Sequence, residues 1–495
     1  MVKKIKKILI ANRGEIALRV ISTAQEMGIK TVAIYTEDEK NALHVLKADE
    51  SVSLGEGTIQ ETYLNKAKII AAIKEKKADA VHPGYGFLSE NAEFCELVEK
   101  EGVTFIGPNP YHMNLMGDKM ASKKKVMEIG APTIPGYHGE MQDISTLEKQ
   151  AEVIGVPLLI KASAGGGGKG MRVVWHLEDF PSELESAKRE AMSAFGKDEV
   201  LLEKYITKPR HIEVQVMSDT HGNHLHFLER ECSIQRRHQK IIEETPSVAL
   251  SDELRKSICE SATKISKAIN YRGAGTVEFI LDEDGKYYFL EMNTRLQVEH
   301  PISEMITGVD LVRLQIQVAQ NEELNISQED IKGRGHAIEC RIYAEDPKNN
   351  FFPTVGTLRK IGRHNSPGVR LDTGVRDGDK VTVNYDPMLA KLIVHAETRE
   401  LAIEKSIRAI AAHPFLGLVT NREYLIKILR SAPFKNGETE TNFVEVNKEL
   451  LEKEHDPSLK YAAAALFTAI SNNHKTAATG PTHEGLSSEL QGFRN

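Results

Sequence analysis

The sequence predicts an α/β protein that begins with a doubly wound parallel sheet, and two observations support this fold class. Apolar strand-like segments alternate with segments of helical periodicity, a pattern typical of parallel βαβ units. A chain of 495 residues also has room for about three domains. We expect strands at 6–11, 31–35, 78–82 and 103–106, helices at 15–27, 64–76 and 90–101, and a first domain that ends near residue 117.

Composition narrows the class of protein. An apolar fraction of 40% and a charged fraction of 27% exclude a mainly disordered or fibrous chain. A net charge of −7 argues against a nucleic-acid binder, and no apolar run is long enough to span a membrane. The cysteines are far apart, which argues against a disulfide framework or a cysteine zinc site; they are Cys95, Cys232, Cys259 and Cys340. We therefore expect a cytoplasmic protein with no nucleic-acid or membrane partner.

The turn after the first strand bears on the choice of cofactor. We interpret residues 1–12 as the first strand rather than a signal peptide, because they lack a full apolar core and a cleavage site. The turn at residues 12–14 then leads into a helix, as in dinucleotide-binding folds, but Gly14 is its only glycine. The Gly-x-Gly-x-x-Gly fingerprint is missing, so we reject NAD binding there.

A glycine-rich hairpin is predicted in the middle of the chain. Strand-like segments at 156–161 and 171–175 flank residues 164–170, which contain consecutive glycines and Lys169. Neither a dinucleotide fingerprint nor a Walker loop fits, because a strand follows and no Ser or Thr succeeds Lys169. Consecutive glycines let backbone N–H groups face a polyphosphate. A merely flexible loop is the alternative, and it is less favoured because Lys161 and Lys169 could also face phosphate.

Two further segments carry polar patterns. His211, Glu213 and Gln215 alternate with apolar residues, which predicts a half-buried strand with residues 225–229 as its neighbour. The basic segment 232–240 follows and precedes two glutamates. In isolation, this charged segment is as often a solvated face as a site.

A pair of facing carboxylates is the sharpest signal in the sequence. Two strand-like segments flank Asp284-Gly285, which is a strong signal for a two-residue hairpin turn. Counting outward from that turn places Glu278 directly opposite Glu291, with Cβ atoms about 4.5–5.5 Å apart. Two carboxylates so placed repel each other unless one is protonated or a cation lies between them. Oxygen ligands of this kind suit Mg²⁺ or Mn²⁺, with phosphate oxygens completing the shell.

The polar pattern continues beyond that hairpin. Every second residue from 291 to 299 is polar, and such a face is costly to bury without ligands. An exposed sheet face is the alternative, but apolar residues on the other side and the Gly273-Ala274-Gly275 stretch favour the floor of a site. A metal-bridged polyphosphate beside an Arg and a Glu predicts phosphoryl transfer to an anionic acceptor. The polar residues are Glu291, Asn293, Arg295, Gln297 and Glu299.

The chain resembles the biotin carboxylase family of the ATP-grasp superfamily over about residues 4–450. The stretches that carry the resemblance are IANRGEIA at 10–17, HPGYGFLSEN at 82–91, GDK at 117–119, the glycine-rich hairpin, RRHQK at 236–240 and EMNTRLQVEHP at 291–301. The resemblance implies phosphorylation of bicarbonate by MgATP to carboxyphosphate, followed by carboxylation of biotin on a carrier.

The resemblance also assigns roles to residues. Those implied to bind ATP are Lys119, Lys161, Gly165, Gly166, Gly167, Gly168, Lys169, Gly170, Met171, Glu203, Lys204, Ile206, His211, Gln235, His238, Glu278 and Glu291. Those implied to bind two Mg²⁺ or Mn²⁺ ions are Glu278, Glu291 and Asn293.

Further roles concern bicarbonate and biotin. The implied bicarbonate pocket contains Lys240, Arg295, Gln297 and the backbone of Val298. Glu299 resembles the base that deprotonates bicarbonate, Arg341 resembles the group that stabilises the biotin enolate, and Tyr85 is implied to touch biotin. Lys240, Arg295, Glu299 and Arg341 are therefore the expected catalytic residues.

The expected organisation follows from the same family. We expect an N-terminal doubly wound domain at 1–117, an ATP-grasp domain at 118–317 with a mobile lid at about 134–205, and a C-terminal biotin carboxylase domain at 318–447. Residues 448–495 are expected to be an extension, with an Ala-rich helix at 461–470 and then a polar tail.

The expected partners also follow from the family. No Met-Lys-Met biotin-attachment motif occurs, so we expect a separate biotin carboxyl carrier protein, carboxyltransferase subunits and a homodimer. Acetyl-CoA carboxylase of fatty acid biosynthesis is the favoured complex, with propionyl-CoA or pyruvate as other acceptors. Another ATP-grasp ligase, such as a carbamoyl-phosphate synthetase, and a catalytically silent ATP-binding subunit are the alternatives.

Overall fold

The N-terminal region is a five-stranded parallel sheet with helices on both faces. The computed structural model describes residues 2–163, 170–237, 239–362 and 365–453. The strands, in the sheet order β3-β2-β1-β4-β5, are β1 (Lys7–Ile10), β2 (Lys30–Tyr35), β3 (Glu50–Ser53), β4 (Ala80–His82) and β5 (Thr104–Phe105). The helices are α1 (Gly14–Glu26), α2 (Leu43–Lys47), α3 (Lys66–Lys76), α4 (Ala92–Lys100) and α5 (Pro110–Gly117).

Residues of β1 show why helices are needed on both faces. Ile8 and Ile10 pack in one core with residues of α1, whereas Leu9 packs in another with residues of α3 and α4. A strand buried on both faces is apolar throughout, as the sequence shows. The predicted doubly wound fold class is therefore confirmed.

The predicted helices exist, with ends that differ by one or two residues. The helix expected at 64–76 begins at Lys66, because the side chain of Asn65 accepts a hydrogen bond from the Lys68 amide. The helix expected at 90–101 begins at Ala92, because Asn91 caps it through the Phe94 amide. The two asparagine side chains thus determine where these helices begin, which hydrophobic periodicity alone does not.

A separate four-stranded antiparallel sheet follows, in the order β6-β9-β7-β8. Its core contains Leu147, Leu158, Phe180 and Leu202. The predicted glycine-rich hairpin is present as the β7–β8 pair, although its tip at 164–169 lies outside the described residues. The elements are α6 (Lys119–Glu128), β6 (Gly136–Tyr137), α7 (Ile144–Ile154), β7 (Leu158–Ala162), β8 (Met171–Val174), α8 (Phe180–Phe195) and β9 (Val200–Lys204).

An eight-stranded antiparallel sheet dominates the rest of the chain, in the order β14-β13-β10-β11-β12-β15-β22-β20. Its strands are β10 (Arg210–Ser218), β11 (His224–Arg236), β12 (Gln239–Thr245), β13 (Gly273–Leu281), β14 (Tyr287–Asn293), β15 (His336–Tyr343), β20 (Val369–Thr373) and β22 (Met388–Ala396). The predicted pairing of 225–229 with the polar strand is confirmed, because Val214 lies opposite Glu229. The domain boundary expected at 317/318 falls between β14 and β15, so the regions on either side share this sheet.

Short strand pairs and helices complete the region. The short strands are β16 (Glu345–Asp346), β17 (Phe352–Pro353), β18 (Gly356–Thr357), β19 (Lys360–Ile361), β21 (Lys380–Val381) and β23 (Phe415–Leu416). The helices are α9 (Asp252–Ala268), α10 (His300–Thr307), α11 (Leu311–Ala319), α12 (Arg399–Ala412), α13 (Arg422–Arg430), α14 (Ala432–Lys435) and α15 (Phe443–Val446).

A second unit begins at Lys448 and contains α16 (Lys448–Glu452). The predicted Ala-rich helix and polar tail of the extension lie outside the described residues.

The strand β10 is more deeply buried than its sequence pattern predicts. The strand was expected to be half-buried, but Glu213 and Gln215 are both fully buried, so both of its faces are covered. The polar face of β10 is therefore enclosed rather than solvated. All the cysteines are free and buried, in agreement with the expectation of no disulfide framework.

Two buried glutamates in the central sheet have pKa values that are shifted in opposite directions. Glu339 on β15 lies opposite Glu243 on β12, and its carboxyl oxygens have no hydrogen-bond partner among the described residues. Burial, with the charge of Glu243, raises the pKa of Glu339 well above its ordinary value. Burial opposes ionisation of Glu244 as well, but hydrogen bonds from His336 and Arg399 outweigh it and lower the pKa of Glu244.

Substitution by glutamine should therefore act in opposite directions at these two sites. A raised folded-state pKa means that Glu339 weakens the fold as pH rises above the unfolded value, so the stability advantage of Glu339→Gln grows by up to about 1.4 kcal/mol per pH unit. Glu244→Gln leaves the buried guanidinium of Arg399 without its carboxylate and should cost about 3–5 kcal/mol at pH 7. Denaturant unfolding at pH 6 and pH 8 measures both, and equal destabilisation by the two substitutions would contradict the assignment.

Candidate active site

Most of the residues expected to bind substrate line one cleft of about 720 Å³. Residues from β7, β8 and β9 meet residues from the eight-stranded sheet there. The predicted residues that line it are Lys161, Met171, Glu203, Lys204, Ile206, His211, Gln235, Lys240, Glu278, Glu291, Asn293, Arg295, Gln297, Val298, Glu299 and Arg341. The structure thus brings together residues that lie far apart in the sequence.

The facing carboxylates exist, but the turn that joins their strands differs from the prediction. Glu278 lies directly opposite Glu291. Asp282 pairs with Lys286 through a backbone hydrogen bond of 2.8 Å, so the loop has three residues rather than the expected two. Leu290 is an extra, unpaired residue in β14, opposite the step between Glu278 and Phe279 of β13. This bulge shifts the register back by one residue. The predicted pair is confirmed and the predicted turn is wrong, because two register errors cancel.

Glu278 is held as an anion by several donors. His211 Nε2 lies 2.8 Å from one of its oxygens, and Lys240 Nζ lies 3.1 Å from the other. Asn293 Nδ2 and Gln297 Nε2 donate to it as well, at 2.8 and 3.0 Å. Burial alone would raise the pKa of Glu278, but the charges of Lys240 and His211 outweigh burial and lower the pKa far below its ordinary value.

Glu291 has the opposite electrostatic setting. Burial and the negative charge of Glu278 raise its pKa, although the charge of Lys119 lowers it. A divalent cation between the two carboxylates would remove this penalty, and carboxylate oxygens are the ligands that Mg²⁺ and Mn²⁺ prefer. The donor set therefore fits the expected metal. The oxygen of Asn293, the third expected ligand, accepts a hydrogen bond of 3.1 Å from Arg295.

Lys240 joins three buried carboxylates. Its ammonium group lies 2.7 Å from Glu213, 3.1 Å from Glu278 and 2.8 Å from Glu299. Burial disfavours a charged lysine, but these carboxylates outweigh it and raise the pKa of Lys240 well above its ordinary value. Arg230, which is fully buried, donates to the other oxygen of Glu213 at 2.5 Å.

Glu299 lies between two cations at the floor of the cleft. Lys240 donates to one of its oxygens and Arg341 donates to the other at 2.9 Å. Burial opposes ionisation, but these charges hold the pKa of Glu299 well below its ordinary value. Arg341 also donates to Glu243 at 2.5 Å, and burial raises the pKa of Glu243 to about 7. Arg341 therefore bridges two carboxylates of different basicity.

Arg295 is oriented by an anchor from the N-terminal region. Its Nε donates to Glu90 at 2.9 Å, and its Nη1 donates to Gln297 at 2.6 Å. Glu90 follows β4 and also accepts from the Thr294 amide at 2.9 Å. Thus the loop after β4 holds the segment that leaves β14.

The cleft wall at Lys161 borders a cluster of lysines, of which Lys119 and Lys123 do not line the cleft. Lys123 and Lys161 both contact the buried carboxylate of Glu203. Burial lowers the pKa of Lys161 to about 8 and that of Lys123 to about 7, and in both cases the charge of Lys119 adds to the effect. An anionic phosphate chain at this end would relieve that repulsion.

Other predicted residues lie outside this cleft. Lys119 is the first residue of α6, and Gly170 packs against Ala162, with a positive φ of +71° that favours glycine. Gly165, Gly166, Gly167, Gly168, Lys169 and His238 lie outside the described residues.

Tyr85 lines a second, adjoining cavity of about 420 Å³. Arg295, Val298 and Arg341 line both cavities, so the two cavities adjoin at these side chains. The Tyr85 hydroxyl is buried and has no hydrogen-bond partner in the part of the chain that the structure describes. Asn12 fixes the preceding loop by donating to the carbonyls of Pro83 and Tyr85, each at 2.7 Å. The cavity lies beyond the carboxyl ends of β1 and β4, where doubly wound sheets commonly bind ligands.

Several residues that hold the site together have no clear functional signal in the sequence. The sequence pattern marks Glu213 only as a polar strand residue, and it gives Arg230, Glu243 and Lys123 no role in a site. Glu90 belongs to a quoted motif without an assigned role. A buried strand with charged alternate residues is the signal that pointed to Glu213, because such a strand needs internal partners.

Three families match consecutive parts of the chain. The biotin carboxylase N-terminal domain matches residues 4–113, and the biotin carboxylase C-terminal domain matches residues 339–446. Between them, the ATP-binding domain of the carbamoyl-phosphate synthase L chain matches residues 118–327. The flanking matches favour the biotin carboxylase interpretation over a carbamoyl-phosphate synthetase.

Similar curated proteins support the same family assignment. Methylcrotonoyl-CoA carboxylase subunit alpha of Dictyostelium discoideum is 51% identical over 471 residues, which cover 94% of this chain and 67% of the relative. Biotin carboxylase 1 of Populus trichocarpa is 49% identical over 439 residues, which cover 89% of this chain and 83% of the relative. The chain belongs to the biotin carboxylase family. Its predicted enzyme class is confirmed: a ligase, the biotin carboxylase of a biotin-dependent carboxylase.

Solved structures give the same assignment. The biotin carboxylase domain dimer of Hydrogenobacter thermophilus 2-oxoglutarate carboxylase, in complex with MgADP, ADP and bicarbonate, is 46% identical with a TM-score of 0.86. That comparison covers 92% of this chain and all of the other. Biotin carboxylase of Campylobacter jejuni, in a β,γ-ATP complex, is 46% identical with a TM-score of 0.85 over 90% of this chain and 99% of the other. The predicted three-part fold class is confirmed.

The expected location of the protein is less fully supported. The chain spans about two thirds of the length of the methylcrotonoyl-CoA carboxylase relatives, which are named as mitochondrial. The predicted cytoplasmic location therefore stays a prediction. Among the helices that the structure describes, none is long and apolar enough to cross a bilayer.

Removing one of the facing carboxylates should weaken metal binding. Glu291→Gln keeps the size of the side chain but removes a ligand charge, so Mn²⁺ affinity in the presence of ADP should fall by at least about tenfold. Glu283→Gln, in the exposed loop of the same hairpin, is the matched control and should keep the wild-type affinity. Electron paramagnetic resonance of free Mn²⁺ measures both. Equal affinity of the two variants would contradict a metal site at Glu291.

Proposed function

We propose that the cleft carboxylates biotin in two steps, with ATP and bicarbonate as co-substrates. The observation that carries this proposal is Glu299, a buried carboxylate held between Lys240 and Arg341 next to the facing pair Glu278 and Glu291. Cations beside a base suit an anionic acceptor, and the facing carboxylates suit a metal-bound polyphosphate. Carboxyphosphate is the proposed intermediate.

The lysine end of the cleft would bind the nucleotide. Lys119, Lys161 and the glycine-rich hairpin are proposed to hold the phosphates, and Glu203, Lys204 and Ile206 the adenine side. Bound Mg²⁺ or Mn²⁺, held by Glu278 and Glu291, supplies charge neutralisation for phosphoryl transfer. The similar Hydrogenobacter thermophilus domain, which forms a complex with MgADP and bicarbonate, supports this assignment.

The strength of Glu299 as a base depends on its neighbours. With Lys240 and Arg341 bound to it, its pKa is well below the ordinary value, which makes a weak base. Bicarbonate oxygens would compete for the same ammonium and guanidinium groups, and each cation that turns to the substrate raises the basicity of Glu299. Arg295, Gln297 and the backbone of Val298 are the other proposed contacts of bicarbonate.

The second cavity is the proposed site of the biotin ring. It adjoins the cleft at Arg341, whose guanidinium would stabilise the negative charge that develops on the biotin oxygen. Tyr85 on its wall has a buried hydroxyl that a ligand could satisfy.

Partners and the final acceptor extend the proposal to the complete enzyme. We propose a separate biotin carboxyl carrier, carboxyltransferase subunits and a homodimer, the last supported by the dimer of the Hydrogenobacter thermophilus domain. The family resemblance favours acetyl-CoA as acceptor, whereas the relatives favour methylcrotonoyl-CoA and, in Ruegeria pomeroyi, propionyl-CoA. We propose that the acceptor is methylcrotonoyl-CoA or propionyl-CoA. Carboxylation of methylcrotonoyl-CoA, propionyl-CoA and acetyl-CoA by the copurified complex compares these acceptors, and exclusive use of acetyl-CoA would overturn this choice.

Loss of the proposed base should abolish turnover without loss of nucleotide binding. In Glu299→Gln, bicarbonate-dependent ATP hydrolysis stimulated by free biotin should fall by about 100-fold or more, because no carboxylate accepts the proton. Phosphate release measures the turnover, and Glu260→Gln on the exposed face of α9 is the control. If the rate of ATP hydrolysis by the wild type does not depend on biotin or on bicarbonate, the proposal is overturned. That result would favour another ATP-grasp ligase or a silent subunit.

A further inference from the structure

Lys391 is a buried charge to which the proposed reaction gives no role. It lies in β22, and its side chain is fully buried. An ammonium group in a protein core is costly unless carboxylates and hydrogen-bond acceptors surround it. A leucine or methionine would fill the same space without that cost. The presence of a lysine therefore calls for a specific interaction.

Three parts of the chain meet at this ammonium group. Its Nζ donates to the carbonyl of Val298 at 2.7 Å and lies 3.3 Å from the carboxylate of Glu15. The ring centre of Tyr85 is 5.9 Å away, within range of a cation–π interaction. Glu15 is the second residue of α1, Val298 follows β14, and Lys391 comes from the last third of the chain. One side chain thus connects both cavities to the N-terminal sheet.

Neighbouring charges keep Lys391 protonated. The strand register places it directly opposite Arg341 on one side and Asp372 on the other. Burial disfavours its charge, but the carboxyl groups of Glu15 and Asp372 outweigh burial and raise the pKa of Lys391 above its ordinary value. A permanently charged donor binds a carbonyl more strongly than a neutral one.

The carbonyl that Lys391 binds belongs to the turn that presents the proposed base. In this turn the carbonyl of Gln297 accepts from the His300 ring at 2.7 Å, and the carbonyl of Val298 accepts from Lys391. Glu299 comes next and begins α10 as its cap residue. Because a peptide group is planar, fixing the Val298 carbonyl also fixes the amide nitrogen and the Cα atom of Glu299, from which its side chain extends.

We propose that Lys391 is a positioning residue for the carboxylation reaction, which fixes the Val298–Glu299 peptide and thereby aims the Glu299 carboxylate at bicarbonate. This inference rests on the proposed function. Lys391 touches no reacting group, and it acts through Val298. The alternative is that Lys391 only balances the charge of Glu15, in which case removal of both charges together would leave catalysis intact.

A charge-balanced double variant separates these two roles. Lys391→Met alone removes the hydrogen bond but leaves Glu15 unpaired, so it could fail to fold. Glu15→Gln/Lys391→Met removes both groups together and should fold with a melting temperature above that of Lys391→Met. The kcat of this double variant for bicarbonate-dependent ATP hydrolysis should be about tenfold to a hundredfold lower than that of the wild type. This is the range expected for loss of one charge-assisted hydrogen bond. The KM for ATP should not change, while the KM for bicarbonate should rise.

Two further variants complete the experiment. Lys391→Arg keeps a charged donor and should recover part of the kcat. Lys405→Met is the matched control, because Lys405 also binds a main-chain carbonyl, that of His395 at 3.0 Å, but His395, unlike Val298, lines neither of the two cavities. It should keep wild-type kinetics.

The outcomes distinguish this inference from the function on which it rests. Wild-type kcat and bicarbonate KM in Glu15→Gln/Lys391→Met, with an active wild-type enzyme, would overturn the positioning role and leave the proposed function standing. A wild-type protein without bicarbonate-dependent turnover would overturn both.

Discussion

The arrangement of the active site depends on the ammonium group of Lys240. It lies within 3.1 Å of carboxylates from β10, β13 and the turn before α10, which would otherwise repel one another in a buried space. A single cation cannot neutralise three anions, and Arg230 and Arg341 supply the remaining charge. The floor of the cleft is thus a balanced array of alternating charges. In the proposed reaction, substrate anions would exchange with the carboxylates that already occupy these cations.

Local sequence patterns were sufficient for the parts of the site that lie within one hairpin. The facing of Glu278 and Glu291 follows from strand periodicity and a turn signal. The prediction was correct although the loop is one residue longer than expected, because a bulge at Leu290 restores the register. Neither feature has a clear sequence signal, since Asp284-Gly285 fits both a two-residue and a three-residue loop. The agreement at this pair therefore depended on two deviations of equal size.

The residues that sequence analysis missed are those whose partners are distant in the chain. Glu213 meets Lys240 only because β10 and β12 flank β11, and Lys391 meets Val298 only because β22 packs beside β15. Strand order in an antiparallel sheet of this size is set by the whole core rather than by local spacing. Burial of the polar face of β10 has the same origin. Family resemblance supplied residue roles that periodicity could not.

The order of strands in the large sheet has a consequence for synthesis of the chain. The hairpin of β13 and β14 emerges from the ribosome before β15, β20 and β22, yet those later strands bring Arg341 and Lys391 to the turn around Glu299. A nascent chain that ends at α11 therefore holds the glutamates of the cleft with too few cations to balance them. Contacts of such long sequence separation form late in folding. The catalytic floor reaches electrical balance only after most of the protein has been translated.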